Sequence, residues 1–545
     1  MKTAQFLLIN LVLGIGLGAI SLAGAEVKLI ADPETRGLRL SADITGKSIA
    51  VGAEKAGVAK IYVGSGKDWK ELAELRLEDR DPANPHLGEF GWSVALSARH
   101  AQASANIAIV GAPADLHGAE FAGDQAADWK KGMKGAAYIF APSGAAWKQQ
   151  AKLAAADPED DDRFGHAVSI DRSTAVVGVP KDDDAGQDSG SAYIFFHDGK
   201  QWKQQAKLVP RDLEKGDSFG EAVVVRENVV VIGAPKHTHS GLRLTGAVYI
   251  FERRGETWVQ QAKLTAEDAR KGDQFGRAVA MSGDTVVVGA PMFDSHAGRD
   301  AGVAYVFTRD GERWNQRSKL IASDTNASDR FGASVATNGK TAIIGAPRRD
   351  ARGLPASGAV YSFVNVDGAW QEKKQVTPDQ EGQNITFGAW VAMTGDNVVV
   401  LAHALPSVPP LNLGFGSAAY VYDIADDFDA LPFPVEPIGL SVTTFGQVKR
   451  TALFQNFPNP FNPETWLPYQ LTVDAPVTFR IYNLRGQLTR KLDLGVQKAG
   501  RYLTRESAAY WDGRDGVGEM VSSGVYFYTL HAGSFQATRR MLIVK

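Results

Sequence analysis

Residues Phe275–Pro291 read FGRAVAMSGDTVVVGAP, and this stretch decides the fold. FGRAVAM from Phe275 predicts a first strand, and TVVVGA from Thr285 predicts a second, apolar on both faces and therefore interior. Two further strand-like segments follow, GVAYVF from Gly302 and RWNQRSKL from Arg313. One unit of the chain thus predicts four antiparallel strands, which we name A to D in chain order.

The same unit recurs along the chain. Phe-Gly pairs precede an apolar run that ends near Gly-Ala-Pro, and the last five pairs follow one another at intervals of 55 or 56 residues. Degenerate copies at Val51-Gly52-Ala53 and at 401–406 bring the number of units to seven. Four antiparallel strands per unit, repeated radially, predict an all-β, seven-bladed β-propeller over residues 26–425. The pairs begin at Phe90, Phe164, Phe219, Phe275, Phe331 and Phe387.

The two ends of this array predict how the ring closes. The last unit has a strand C from Ser417 but no Trp-to-Lys-Leu strand D after it. The segment VKLIA, Val27–Ala31, matches the end of a strand D and precedes the first unit. We therefore expect residues 27–31 to pair onto the last blade as its outer strand.

These units resemble FG-GAP repeats, the blades of the integrin α-chain propeller and of many bacterial surface proteins. The resemblance covers roughly residues 28–425 and implies a propeller that binds proteins or glycans outside the cell. Integrin-like repeats often carry a calcium loop between Phe-Gly and Gly-Ala-Pro. Here that segment is a tight hairpin, such as Asp171-Arg172-Ser173, and lacks the oxygen-ligand spacing of such a loop, so this calcium site is not expected.

The N-terminus and the composition predict export. Lys2, an apolar stretch from Phe6 to Leu22 and the small residues Ala23-Gly24-Ala25 are typical of a signal peptide over residues 1–25. An uncleaved membrane anchor is the alternative.

The chain has no cysteine, which excludes disulfides and thiol catalysis, and its net charge of −3 argues against a general nucleic-acid binder.

A second domain is predicted after a Pro-bearing linker at residues 426–452. Short strands over residues 453–545 suggest a small immunoglobulin-like β-sandwich. The region resembles the flagellar hook-cap immunoglobulin-like domain and the C-terminal sorting domains of the type nine secretion route, which implies delivery to the outer surface. An accessory domain without a sorting role is the alternative. The resemblance rests on Asn456–Pro463, Ile481-Tyr482-Asn483, Arg485-Gly486, Trp511-Asp512-Gly513, Ser523-Gly524-Val525-Tyr526 and Lys545.

Strand parity predicts a single functional face. In a four-stranded antiparallel blade the D-to-A and B-to-C connections emerge at one edge, and in this chain they are the long ones. In the third unit these loops carry a set of carboxylates that could bind calcium, although a solvated acidic surface with turn-forming aspartates is the alternative. An Asp two residues before Phe-Gly recurs, and we expect it to bond backbone groups of each turn. The candidate calcium ligands are Asp157, Asp160, Asp162, Asp182, Asp184 and Asp188.

The second unit carries the longest B-to-C loop, residues 113–135. An aromatic ring among cations and imidazoles suits a glycan or an acidic protein, and a tolerated insertion is the alternative. The candidate ligand-binding residues are His86, His117, Trp129, Lys130 and Lys131.

The features together predict a secreted or cell-surface binding or adhesion protein without enzymatic activity. No catalytic residue is assigned, no cofactor is required and calcium is possible. The expected partners are an extracellular protein or glycan and the export machinery, with no nucleic acid and no membrane span in the mature chain. There are two alternatives. One is a secreted enzyme acting on polysaccharide or phosphoester, which would need polar side chains converging at the mouth of the central channel. The other is an architectural envelope component.

Overall fold

The computed structural model describes residues 27–31, 40–65, 68–77, 88–98, 106–115, 133–144, 146–351, 354–378, 385–403, 417–423, 451–454, 456, 464–502 and 507–543. The chain divides into two compact units, residues 1–435 and residues 436–545. The signal peptide predicted over residues 1–25 lies outside the described residues, as does most of the predicted linker. Within the described part of the chain, no helix is long and apolar enough to cross a bilayer.

The first unit is a series of four-stranded antiparallel sheets, each formed by consecutive strands except the last. The last sheet has the order β1-β28-β27-β26. A short 3-10 turn, Glu54–Ala56, lies between the second and third strands of the first sheet. The strands are β1 (Val27–Ala31); β2 (Leu40–Thr45), β3 (Ser48–Ala53), β4 (Val58–Ser65), β5 (Asp68–Leu75); β6 (Ser93–Ser97), β7 (Ile107–Ala112), β8 (Ala136–Ser143), β9 (Ala146–Leu153); β10 (Ala167–Asp171), β11 (Thr174–Val179), β12 (Ser191–His197), β13 (Trp202–Leu208); β14 (Ala222–Arg226), β15 (Val229–Ala234), β16 (Ala247–Arg254), β17 (Thr257–Leu264); β18 (Ala278–Ser282), β19 (Thr285–Ala290), β20 (Val303–Asp310), β21 (Arg313–Leu320); β22 (Ser334–Thr337), β23 (Thr341–Ala346), β24 (Ala359–Val366), β25 (Ala369–Val376); β26 (Trp390–Thr394), β27 (Asn397–Ala402) and β28 (Ala418–Asp423).

The strand sequences account for their places in each sheet. β19 (TVVVGA) is rich in Val and is buried along nearly its whole length, as befits a strand covered on both faces. β21 (RWNQRSKL) alternates exposed and partly buried residues, which is the pattern of an edge strand with one solvated face. Its Lys and Arg side chains oppose edge-to-edge association. The sequence therefore accounts for the order of the strands in each sheet, with strand A innermost, strands B and C in the interior and strand D at the outer edge.

The first strands of the sheets lie innermost. β2 contacts β6, and contacts between first strands continue through β10, β14, β18 and β22 to β26, which contacts β2. The hydrophobic cores lie between neighbouring sheets, as where Val231 and Ile250 of one sheet join Phe275 and Tyr305 of the next. Repeated four-stranded antiparallel sheets that pack face to face in this way fit a β-propeller.

The outer strand of the last sheet comes from the start of the chain, as predicted. β1 pairs antiparallel with β28, with Val27 opposite Val421 and Ala31 opposite Ala418. The register shifts between Lys28 and Ile30, which marks a bulge in this short strand. The pairing satisfies an edge of β28 that would otherwise be open.

Strand A is shorter than predicted, because the Phe-Gly pair is not part of it. Phe275 forms a parallel bridge with Gly246 of the preceding loop, and β18 begins only at Ala278. Gly276 has φ +91°, a left-handed conformation that breaks the strand. The Phe275 ring turns inward and packs edge-on against Tyr305 and Phe307, with centroids 5.5 and 5.8 Å away.

One A-to-B connection also departs from the expected tight hairpin. In the sheet β6–β9 it spans residues 98–106, whereas β18 and β19 are joined across Gly283 and Asp284. Residues 99–105 are outside the described part of the chain.

The second unit is also antiparallel. Its sheets have the strand orders β33-β32-β36-β37, β29-β31-β34 and β30-β35. One core joins them, with Trp511, Tyr469, Phe479 and Tyr528 fully buried. The strands are β29 (Ala452–Leu453), β30 (Thr465–Leu467), β31 (Tyr469–Leu471), β32 (Ala475–Asn483), β33 (Leu488–Gln497), β34 (Gly500–Tyr502), β35 (Ala509–Trp511), β36 (Gly524–Ala532) and β37 (Phe535–Ile543).

Candidate functional site

The long D-to-A and B-to-C loops lie at one edge of the first unit and brace each other. The N–H of Gly216, in a D-to-A connection, donates to Gln187 O at 2.8 Å in the preceding B-to-C loop. Phe219 N–H donates to Ser189 O at 2.9 Å in the same pair of loops. Equivalent parallel bridges recur between later sheets, as at Gly246 and Phe275. The described parts of these loops are therefore hydrogen-bonded from one sheet to the next along a single edge.

A buried aspartate closes four of the D-to-A turns. Its Oδ2 accepts a hydrogen bond from the backbone N–H three residues earlier, so it stabilises the turn that precedes Phe-Gly. The predicted structural role of this recurring Asp is confirmed. The distances are 2.7 Å for Asp162 with Glu159, 2.8 Å for Asp217 with Glu214, 2.6 Å for Asp273 with Arg270 and 2.8 Å for Asp329 with Asn326.

A second aspartate in the same turn ties the loop to the sheet that follows. Asp268 Oδ1 accepts a hydrogen bond of 2.8 Å from the Tyr305 hydroxyl, and Lys319 on the outer strand donates to Asp268 Oδ2. Desolvation alone would raise the pKa of Asp268, but the bonds from Lys319 and Tyr305 outweigh it and lower the pKa. Asp157 and Asp212 have equivalent Tyr and Lys partners, so this is a repeated structural cluster.

The acidic loops that carry the candidate calcium ligands hold a lysine among their carboxylates. Lys207 Nζ lies 2.9 Å from Asp157 Oδ2, 2.9 Å from Asp182 Oδ2 and 2.6 Å from Asp184 Oδ2. Desolvation lowers the pKa of Lys207, but the hydrogen bonds with Asp184 and the other carboxylates raise it, so the ammonium group is charged. Lys207 thus supplies the positive charge that these three carboxylates require.

The other members of the predicted calcium set serve elsewhere. The Asp162 carboxylate caps its turn, and burial, together with the neighbouring Asp182 carboxylate, raises its pKa to about 7. Asp160 is exposed, and the backbone N–H of Asp188 donates to Asp183 Oδ1 at 2.7 Å. Over the part of the chain that the structure describes, no group of three or more His, Asp or Glu side chains has the arrangement of a metal site.

One position in the B-to-C loop changes chemistry from sheet to sheet while keeping its place. Asp182 has the equivalents His237, Phe293 and Arg349, each two residues after the proline of the Gly-Ala-Pro-like segment. His237 Nδ1 donates to Asp217 Oδ2 at 2.6 Å, and its Nε2 accepts from Lys263 at 2.7 Å. Lys319 lies 3.7 Å from the Phe293 ring centroid, and Arg349 bonds Asp324 and Asp329. Each residue completes its local cluster, which favours a structural role.

The candidate ligand-binding residues of the second unit are His86, His117, Trp129, Lys130 and Lys131, and all of them lie outside the described residues.

A row of polar and aromatic side chains beside the innermost strands was not anticipated from the sequence. The residue directly after Phe-Gly is Trp92, His166, Glu221 and Arg277 in four successive sheets. The Trp92 and His166 rings have centroids 5.4 Å apart, and His166 Nε2 lies 3.6 Å from Glu221 Oε1. The Arg277 guanidinium donates to the same Glu221 oxygen. Four innermost strands thus bring an aromatic ring, an imidazole, a carboxylate and a guanidinium into one row.

The charges within this row are strongly coupled. Burial would raise the pKa of Glu221, but the neighbouring His166 ring and the charges of Arg277 and Lys236 hold it well below its usual value. Glu221 is therefore an ionised anchor for the cations beside it. The signal that could have identified the row is the variation at one position of an otherwise regular repeat, since structural positions such as the Phe and Gly before it do not vary.

A cleft of about 470 Å³ lies at the opposite, turn-bearing edge, between the sheets β6–β9 and β10–β13. It is lined by Trp202, His197, Arg172 and Gln150, among others. At the next two sheet junctions a tryptophan of the outer strand bonds a glutamine of the preceding sheet, as Trp258 does with Gln205 at 2.9 Å. The cleft lies beside Trp202, the corresponding tryptophan of its own sheet, at the edge opposite the loops.

Comparison with known proteins supports the repeat. The family model for the FG-GAP repeat matches residues 147–195, 202–251, 258–307 and 314–363. Each match begins on the outer strand of one sheet and ends on the third strand of the next, so the sequence repeat and the sheet are offset by one strand. No curated protein is similar enough to the chain to count as a match. The four FG-GAP repeats and the repeated sheets together fit a β-propeller.

Proposed function

We propose that this protein is an exported binding or adhesion protein that presents the loop-bearing edge of its first unit to an extracellular protein or glycan. The observation that carries the proposal is the row Trp92–His166–Glu221–Arg277 at the centre of that edge. Binding residues are held well when loops are carried by a rigid scaffold, and here the loops are also hydrogen-bonded to each other.

The proposal includes a seven-bladed propeller resembling the integrin α-chain. Its support is the set of four-stranded sheets whose innermost strands contact one another in sequence until β26 returns to β2. The strand β1 closes the last blade with residues from the start of the chain. A ring closed in this way fixes the relative positions of the loops that would meet the ligand.

For the second unit we propose an immunoglobulin-like sorting or anchoring domain that engages the export machinery. Its antiparallel sheets around a single core are compatible with a small sandwich. Together with the predicted signal peptide, this domain supports an extracellular or outer-surface location for the mature protein.

A binding role without catalysis suits the chemistry of the central row. Glu221 is held ionised by His166 and Arg277, and a carboxylate with so low a pKa is a poor general acid or base near neutral pH. The convergence of His166, Glu221 and Arg277 is nevertheless the feature that favours the second candidate, a secreted enzyme acting on polysaccharide or phosphoester. The two candidates differ in whether a bound ligand is chemically changed.

The test is a binding screen of the whole mature chain against arrays of glycans and extracellular proteins, with calcium and with a chelator. We expect a hit whose signal is reduced by His166→Ala and by Arg277→Ala and retained by Trp202→Ala, which alters the cleft at the opposite edge. The ligand recovered from the complex should be intact. A chemically altered ligand would support the enzyme, and a hit lost only in Trp202→Ala would move the site away from the loops.

A further inference from the structure

We propose that the ligand of the loop-bearing edge is an acidic polysaccharide, whose carboxylate or sulfate groups lie against the guanidinium groups of Arg277, Arg330 and Arg348. The inference rests on the proposed binding function and names the chemical class of its ligand.

The three arginines come from two neighbouring sheets and reach the same edge. Arg277 directly follows Phe275-Gly276, and Arg330 directly precedes Phe331-Gly332 in the next sheet. The N–H of Arg348, at the end of the following Gly-Ala-Pro, donates to Asp329 O at 3.3 Å, which places Arg348 beside Arg330. All three therefore lie where the innermost strands meet the loops.

Two of the three guanidinium groups have no ion-pair partner among the described residues. Arg277 pairs with Glu221, whereas among the described residues Arg330 and Arg348 form no ion pair or side-chain hydrogen bond. By contrast, Arg349, the next residue in the chain, pairs with both Asp324 and Asp329. Lys236 adds a further cation near Glu221. The edge thus holds more cations than carboxylates at its centre.

Like charges are held close together at this point. Burial lowers the pKa of Arg330, the charges of Arg348 and Arg277 lower it further, and Asp300 only partly opposes them. Bringing guanidinium groups together costs free energy, which an anion bound between them would offset. Guanidinium groups bind carboxylate and sulfate oxygens with paired hydrogen bonds, so oxyanions are the ligands they suit best.

The neighbouring aromatic ring favours a sugar. Trp92 and His166 continue the same row on the side of Glu221 away from Arg277, so the ligand would run across several sheets. A half-buried indole offers an apolar face to a pyranose ring, while the guanidinium groups take its charged substituents. A chain of charged sugar rings matches both features at once, whereas a single small anion would use only the arginines.

The experiment measures binding of four polymers to the full-length mature protein: polygalacturonate, dextran sulfate, neutral dextran and poly-glutamate. We expect at least one acidic polysaccharide to bind about tenfold or more tightly than neutral dextran, because hydrogen bonds between guanidinium groups and oxyanions are stronger than those between neutral groups. Binding should weaken as salt increases. The double variant Arg330→Glu/Arg348→Glu should lose at least about tenfold in affinity.

Arg313→Glu is the matched control, because Arg313 is exposed on an outer strand and makes the same change of charge. Thermal unfolding of each variant establishes that it is folded. Equal binding of poly-glutamate and the acidic polysaccharide would overturn the glycan class, and equal loss in Arg313→Glu would overturn the site. A neutral glycan or protein ligand that is unaffected by the arginine variants would refute this inference while leaving the proposed binding function in place.

Discussion

The ammonium nitrogen of Lys207 lies 2.9 Å from the Asp182 carboxylate, at the centre of the loops whose acidic residues suggested calcium. Lys207 is 16% exposed and Asp182 is 4% exposed, so the pair is largely shielded from water. The cation in this cluster is therefore covalently part of the chain. A side chain of the outer strand thus joins the D-to-A loop, through Asp157, to the B-to-C loop, through Asp182.

Replacing Lys207 should expose the dependence of these loops on a cation. Lys207→Met leaves Asp157, Asp182 and Asp184 facing one another, and we expect it to lower the free energy of unfolding by about 2 kcal/mol. Lys203→Met is the control, because Lys203 lies on the same strand but pairs with Asp198 at the surface. Calcium should leave the thermal midpoint of the wild-type protein unchanged and raise that of Lys207→Met. A midpoint of the wild-type protein that rises with calcium would contradict this account.

The capping aspartates should make stability depend on pH. Burial, with the Asp268 and Asp294 carboxylates contributing, raises the pKa of Asp273 to about 6 against the bond from Arg270 N–H. Because the folded-state pKa is raised, the stability that protonated Asp273 contributes is present below about pH 4 and is lost as the pH rises through about 6. Asp273→Asn keeps the acceptor and removes the charge, so its stability relative to the wild type should increase over that range.

The matched variant Asp273→Ala removes the acceptor as well. It should be less stable than Asp273→Asn by about 1–3 kcal/mol at every pH, since the Arg270 N–H is left without its partner. Asp310→Asn, at the exposed end of β20, is the control for loss of charge. Unfolding is followed by circular dichroism across the pH series. If Asp273→Asn and the wild type show the same pH profile, Asp273 is not the titrating group.

The glycine of Phe-Gly should tolerate no side chain. Gly220 has φ +93°, and a Cβ added there would lie 2.4 Å from Ser191 O, in the backbone of the neighbouring sheet edge. We expect Gly220→Ala to destabilise the protein by more than about 2 kcal/mol. Gly283 has φ +53° but open space around it, so Gly283→Ala measures only the cost of placing alanine at a positive φ. This variant should lower the free energy of unfolding by about 1 kcal/mol. Equal losses in the two variants would show that close approach is not the constraint.

The outer strand contributed by residues 27–31 should be required for a stable ring. A chain beginning at residue 32 lacks β1 and leaves β28 with an open edge, so it should unfold at a lower temperature than a chain beginning at residue 26. Hydrogen exchange at Ala419 and Val421 should accelerate in the shorter chain and remain unchanged in β19. Equal protection of β28 in both chains would show that the pairing contributes nothing.

The sequence predicted those features that depend on the repeat. The four strands of a unit, the pairing of β1 and the turn-capping Asp273 all follow from spacing and turn chemistry, which are local. The predicted start of strand A at Phe275 was wrong, because the positive φ of Gly276 turns Phe275 out of the strand and into the core. A Phe before a Gly is equally compatible with either arrangement until its packing partners are known.

The candidate site was harder to predict, because its contacts join residues that are far apart in the chain. Lys207 follows Asp157 by 50 residues, and no local pattern connects a lysine of the outer strand with the acidic loops. The row containing His166 and Glu221 depends on how consecutive sheets meet, which no single unit contains. Positions that vary within a regular repeat carry this information, but only after the ring places them side by side.

The offset between sequence repeat and sheet has a consequence for the history and engineering of this protein. Each FG-GAP match spans the last strand of one sheet and three strands of the next, so no repeat encodes a self-contained sheet. Duplicating or deleting a whole repeat would therefore leave every sheet with four strands. Cutting the chain between two consecutive sheets would also separate no paired strands, although the cut would fall inside a repeat. A circular permutant can be made by joining the two ends of the ring and opening the chain elsewhere, between an outer strand and the first strand of the next sheet. This permutant should have the same sheets.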